Sequence, residues 1–152
     1  MSIATPTNPL RSATDVATCT CANLRKATRL VTQAFDAALQ PSGLRATQFT
    51  LLATLSRRGD LPLTRLAEAL VMDRTTLTRN LKPLVAQDLI RVTQEKDARV
   101  RRISLTDHGN RVLNDALPRW QDAQSRLVGT LGQDRWSGLL DDLAATVVAL
   151  QS

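Results

Sequence analysis

Tyrosine is missing altogether, and Phe and Trp contribute two residues each. A core must therefore be built from Leu, Val and Ala, a composition that favours helices. Cysteine is nearly as scarce: Cys19 and Cys21 are the only two. Thiols that close together cannot staple a fold, which excludes a disulfide framework and points to a reducing compartment. With one histidine, no glycine-rich phosphate loop and no nucleophile-base-acid set, the chain is not expected to be an enzyme or to hold a cofactor. Two thiols and His108 leave Zn²⁺ short of ligands, so no metal is expected either. No apolar run approaches the ~18 residues of a membrane span, and MSIATPTNPLRSATD at the start lacks the apolar stretch of a secretion signal. A soluble, cytoplasmic protein without membrane contact is expected.

What is present is arginine. Lys and Arg together number 20 against 14 acids, a net charge of +6, and Arg far outnumbers Lys. Such a surplus attracts phosphates by counterion release, and the planar guanidinium fork suits guanine edges. The remaining composition, 43% hydrophobic and 22% charged over 152 residues, is that of a globular chain able to bury a core.

Residues 1–18 carry Thr, Ser, Pro and Asn without periodicity and read as an N-terminal arm. From about Thr20, Leu24, Ala27, Val31, Phe35 and Ala38 form a helical stripe that runs to the breaker Gln40-Pro41-Ser42-Gly43. Thr47 is a candidate N-cap for a second helix with Phe49, Leu52 and Leu55 inward, closed by Arg57-Arg58-Gly59. Pro62 opens a short helix over Thr64 to Leu70, Val71-Met72-Asp73 is a turn, and Asp73 caps a helix from Arg74 to about Gln87 with Leu77, Leu81, Leu84 and Val85 inward. Pro83 should bend or loosen its last turn. Leu89–Thr93 and Arg101–Leu105 alternate as two strands joined by a loop from Gln94 to Val100. Thr106 caps a long helix, with Leu113, Leu117, Trp120, Ala123 and Leu127 inward and a kink expected at Pro118. After Gly132 a final helix spaces Trp136, Leu140, Leu143, Val147 and Leu150 as a seam. That seam covers either a second copy of the chain or the chain's own domain.

The fold class expected is therefore mainly α (α+β): a winged helix-turn-helix, residues 46–106, with a two-stranded β-hairpin wing, flanked by dimerisation helices at 19–45 and 107–152. The N-terminal part of the second helix of such a unit meets base edges in the major groove. Arg74, Thr75, Thr76, Thr78, Arg79 and Lys82 occupy that face, which carries no acid after its cap. At the wing, Arg91, Lys96, Arg99, Arg101 and Arg102 gather, and a guanidinium at the tip suits the narrow minor groove. Asp97 either orients Arg99 by an ion pair or caps the turn. A protein-binding winged helix is the alternative, but it predicts apolar anchors on the outer face of the Arg74 helix, where none stands.

Leu63-Thr64-Arg65-Leu66-Ala67, Asp73-Arg74-Thr75-Thr76-Leu77-Thr78-Arg79 and Leu105-Thr106-Asp107-His108-Gly109 follow one another in an order that resembles the MarR family of bacterial transcription regulators. The resemblance implies a homodimer whose first and last helices interlock, a palindromic double-stranded DNA operator, Arg79 reading the major groove and Arg99 the minor groove, and action as a repressor. It also implies release by a small aromatic or carboxylate effector, or by cysteine oxidation. For oxidation the chain offers Cys19 and Cys21 at a helix start with Arg25 one turn on, a setting that lowers a thiol pKa. Sulfenic acid or an interchain bridge suits Cys-x-Cys better than a strained internal disulfide. Packing of both residues in a dimer interface is the alternative. For an effector, Arg25, Arg29 and Trp120 are the anion-binding or stacking groups, although Arg29 equally suits a salt bridge across a dimer.

Overall fold

A computed structural model describes residues 16–97 and 99–151. The chain divides into an N-terminal unit ending at Ala34 and a larger one from Phe35 onward. The N-terminal unit holds a 3₁₀ turn, Val16–Thr18, and most of helix α1, Thr20–Leu39. Asn23 fastens this start, its side-chain amide donating to the carbonyls of Ala17 and Cys19 at 2.8 and 2.9 Å.

The larger unit continues with α2 (Ala46–Arg58), β1 (Leu61–Pro62), α3 (Leu63–Leu70), α4 (Arg74–Ala86), β2 (Ile90–Gln94), β3 (Arg101–Leu105), α5 (Asp107–Leu131) and α6 (Gln133–Gln151). α2 begins at Ala46 rather than after Thr47. The Arg45 amide donates to Gln48 Oε1 at 2.9 Å, and Asp36 Oδ1 of α1 accepts from the Ala46 amide at 2.7 Å, so a carboxylate ten residues upstream supplies the cap.

The expected hairpin of the wing, β2 and β3, is joined by a third strand. β3 lies between β1 and β2 and is antiparallel to both, with Leu61 opposite Ile103, Pro62 opposite Arg102, Val92 opposite Ile103 and Thr93 opposite Arg102. The second strand runs one residue later than its alternation suggests, from Ile90 to Gln94. The Leu89 carbonyl instead accepts from the Thr106 amide at 3.1 Å, closing the base of the wing onto α5.

One core holds the larger unit together: Leu39, Leu44, Phe49, Leu52 and Leu55 meet Leu66, Leu77, Leu81 and Leu84 of the helix pair, Ile90 and Ile103 of the wing, and Leu113 and Ala116 of α5. α4 and α5 run unbroken through Pro83 and Pro118. Along α6 no described residue is buried: Leu139, Leu140, Leu143, Val147, Val148 and Leu150 are exposed and Trp136 is half-buried. No described helix is long and apolar enough to cross a membrane.

Candidate nucleic-acid interface

α4 is positioned from both sides. Leu77, Leu81 and Leu84 anchor its inner face in the core. At its start, Asp73 accepts from the Thr76 amide at 2.8 Å and from the Thr76 hydroxyl at 2.6 Å. These two bonds, the hydroxyl's first, hold the Asp73 carboxyl below the usual carboxylate range. The preceding turn is tight enough to force Val71 into the left-handed region at φ 52°, an uncommon place for a β-branched residue.

The outer face of α4 brings Arg74, Thr75, Thr78, Arg79 and Lys82 onto one shallow polar surface. Thr76, expected with them, is not part of it; its hydroxyl is committed to Asp73. Thr78 donates to the Arg74 carbonyl at 2.7 Å, so its hydroxyl proton is committed and the oxygen remains an acceptor.

Between α4 and the wing runs a trough of about 390 Å³, floored by Leu81, Val85, Val92 and Ile103 and edged by Thr78, Lys82 and Arg101. Val85 and Val92 are exposed there, at 44% and 38%. Val85 thus leaves the core to which its spacing assigned it. The trough joins Lys82 of the helix to Arg101 of the wing.

At the wing tip, Asp97 caps the turn rather than pairing with the neighbouring guanidinium: its Oδ1 accepts from the Arg99 backbone amide at 3.0 Å, and its carbonyl accepts from Val100 at 2.9 Å. The Arg99 side chain is exposed. Arg102 behaves differently from its basic neighbours. Its Nε and Nη2 meet Glu95 Oε1 at 2.6 and 2.5 Å, and its Nη1 donates to the Asp60 carbonyl at 3.1 Å. Sequence reasoning missed Glu95, and the signal available was slight: one acid next to five cations.

Thr106 caps α5 as its position predicts, and the geometry gives the rest of the motif its reason. Thr106 Oγ1 accepts from the Gly109 amide at 2.9 Å, capping α5, and donates to the Asp88 carbonyl at 2.6 Å. Gly109 lies against the Leu89 carbonyl so closely that any Cβ would collide with it.

Of the expected switch residues, Cys19, Cys21, Arg25 and Arg29 belong to the N-terminal unit, and all four are exposed. Trp120 belongs to the larger unit, where its ring stacks on Phe49, with centroids 5.6 Å apart and planes 14° apart, and tilts against Phe35 at 6.5 Å. Among the described residues no three His, Cys, Asp or Glu side chains gather in a way that could hold a metal.

A model of the MarR family matches residues 44–100, which span the helix pair and most of the wing. No curated protein matches the sequence. Among solved structures, the transcriptional regulator MosR of M. tuberculosis, in complex with DNA, is 38% identical, with 88% of this chain and 96% of that one covered and a TM-score of 0.81. The transcriptional repressor CouR bound to a DNA duplex is 26% identical, covering 88% and 96%, with a TM-score of 0.79. AbsC, a MarR family transcriptional regulator from Streptomyces coelicolor, is 23% identical over 91% and 96% with a TM-score of 0.77 and carries the fold alone. Its motifs, its winged helix-turn-helix and its identity to a regulator spanned almost from end to end place the chain in the MarR family of transcriptional regulators, not among enzymes.

Proposed function

We propose that the chain is a sequence-specific double-stranded DNA-binding regulator, a repressor that acts as a homodimer on a palindromic operator. The observation that carries this reading is the outer face of α4, where Arg74, Thr75, Thr78, Arg79 and Lys82 form one cationic, hydroxyl-bearing surface on a helix whose other side is locked into the core. A helix so presented fits the major groove, and Arg79 is long enough to fork onto guanine O6 and N7. Arg99, exposed at the wing tip, suits the adjacent minor groove, with Arg101 and Lys82 facing phosphates between the two. The DNA complex of the similar M. tuberculosis regulator supports the same reading.

In this proposal residues 46–106 form the reading lobe, while 19–45 and 107–152 pair the two copies. The exposed apolar side chains of α6 support pairing, because a monomer seldom leaves so many along one helix in water, and Leu30 and Val31 of α1 are exposed likewise. Two-fold symmetry then calls for half-sites about one helical turn apart. Release is proposed to follow oxidation of Cys19 or Cys21, both exposed, or capture of a small aromatic or carboxylate effector.

Fluorescence anisotropy with the duplex upstream of the chain's own gene tests the core of this reading. Binding that weakens steeply with salt is expected, and Arg79→Ala should lose discrimination of about 1–3 kcal/mol at one base pair per half-site. No binding at low salt, or an Arg79→Ala variant that discriminates as before, would overturn it. Light scattering should give twice 16.6 kDa; a monomer would refute the pairing.

A further inference from the structure

Arg102 sits in the central strand of the wing, opposite Pro62 on one side and Thr93 on the other. Its side chain adds contacts that the β1–β3 ladder itself does not make. Its Nη1 reaches the carbonyl of Asp60, the residue between the Gly59 cap of α2 and the first strand, while Nε and Nη2 close on Glu95 Oε1. Glu95 in turn opens the tip: its amide donates to the Val100 carbonyl at 3.0 Å, and between those two residues stand Asp97 and Arg99. A continuous chain of polar contacts therefore runs from the end of a core helix to the loop that carries Arg99.

We infer that Arg102 is a positioning residue rather than a phosphate contact, and that Glu95, an acid on a basic DNA-facing wing, is required for full DNA affinity. The inference rests on the reading of Arg99 as a groove contact. Both side chains of the pair are somewhat more than a third exposed, at 37% and 38%, and ion pairs so exposed add little to stability. What three directed contacts on one planar guanidinium do fix is orientation, which a lysine could not reproduce. The consequence has a sign opposite to simple electrostatics. Removing an acid makes the chain one unit more positive and should strengthen its attraction to a polyanion; if Glu95 works through the clamp, its removal weakens binding instead.

The test combines Glu95→Ala, Arg99→Ala and the double variant, using a duplex that the unmodified chain binds, with hydrogen exchange at the Glu95 and Val100 amides and thermal melting alongside. Glu95→Ala should bind on the order of tenfold more weakly, as when a placed charge contact is lost, with an unchanged melting temperature and faster exchange at both amides. In the Arg99→Ala background it should cost nothing more, because the two changes act through one contact and are not additive. Glu95→Ala binding as tightly as the unmodified chain or tighter, or an equal loss in both backgrounds, would overturn the inference. If Arg99→Ala alone leaves affinity unchanged, the groove role of Arg99 fails instead, and the exchange rates judge the clamp separately: unaltered exchange in Glu95→Ala refutes it.

Discussion

Replacing Gly109 by alanine sets two effects of opposite sign against each other. Gly109 lies in the first turn of α5 and is buried. On helix propensity alone, Gly→Ala should stabilise by about 1 kcal/mol. A Cβ at this position, however, would come within 2.9 Å of Leu105 Cδ1 and of the Leu89 carbonyl carbon, and nearer still to the Leu89 oxygen, where ordinary contact begins at 3.4 Å. The Leu105 side chain can turn aside, but the Leu89 carbonyl is held by the Thr106 amide at 3.1 Å. Relief therefore requires the start of α5 to back away from the wing. That movement strains the Thr106 bonds to Leu89 and Asp88, each worth about 1 kcal/mol net, on top of roughly 1–3 kcal/mol for overpacking. Less the propensity gain, the net loss is about 2–4 kcal/mol, a fall in melting temperature of roughly 6–12 °C for a domain of this size. Thermal unfolding followed by circular dichroism at one protein concentration measures it, with Gly129→Ala, also in α5 but with nothing within 4 Å of its Cβ, as the control expected to gain stability. A Gly109→Ala variant as stable as the parent, or one that moves upward with the control, would refute the reasoning.

Because hydrogen bonds from Thr76 lower the Asp73 pKa, the stability that Asp73 lends to α4 is complete above the ordinary carboxylate range and is lost as pH falls through its lower native value. Asp73→Asn should flatten that part of the acid unfolding curve while keeping the cap, and Asp73→Ala should lose both cap and DNA affinity; an unchanged acid profile in Asp73→Asn would contradict this. Val71→Gly should stabilise by about 0.5–1 kcal/mol, since relief of the left-handed backbone outweighs the entropy of an added glycine; urea midpoints decide it, and a loss would show that the turn is unstrained. Trp120→Ala removes the stack on Phe49 and should cost about 3 kcal/mol, the low end for an aromatic because the ring is only partly buried. A midpoint shift near zero would mean that the ring is not a packing element. Mild peroxide should weaken DNA binding by the unmodified chain but not by a Cys19→Ser, Cys21→Ser double variant; equal sensitivity would remove the thiols from regulation.

Much of this molecule was legible in its residues, for identifiable reasons. Asp73 and Thr106 cap helices through neighbours three residues on, a local interaction that spacing exposes. The inner faces of α2 and α4 follow from period, except at Val85, where the wing leaves a trough instead of core. What escaped is tertiary. The first strand is two residues long and ends in proline, too short for any alternation to register. The cap of α2 comes from Asp36 in another helix, so Thr47 looked the better candidate. Within the candidate site, five of six helix residues share the expected surface, while Thr76 turns its hydroxyl to the cap it was supposed merely to follow. Arg102 and Glu95 were invisible for a plainer reason: in a row of arginines nothing local tells a clamp from a contact.

Thr106 joins two things that a designer would keep apart. Its backbone amide and hydroxyl hold the base of the wing, while the same hydroxyl caps a helix of 25 residues. Such a helix is about 37 Å long, and it is welded at one end to the strand pair that carries Arg99. Leu113 and Ala116 of that rod lie in the same core as Leu77, Leu81 and Leu84 of α4, so wing base, reading helix and the first half of α5 are held by one set of contacts. Loss of the single Thr106 hydroxyl therefore loosens the wing and the start of the rod together.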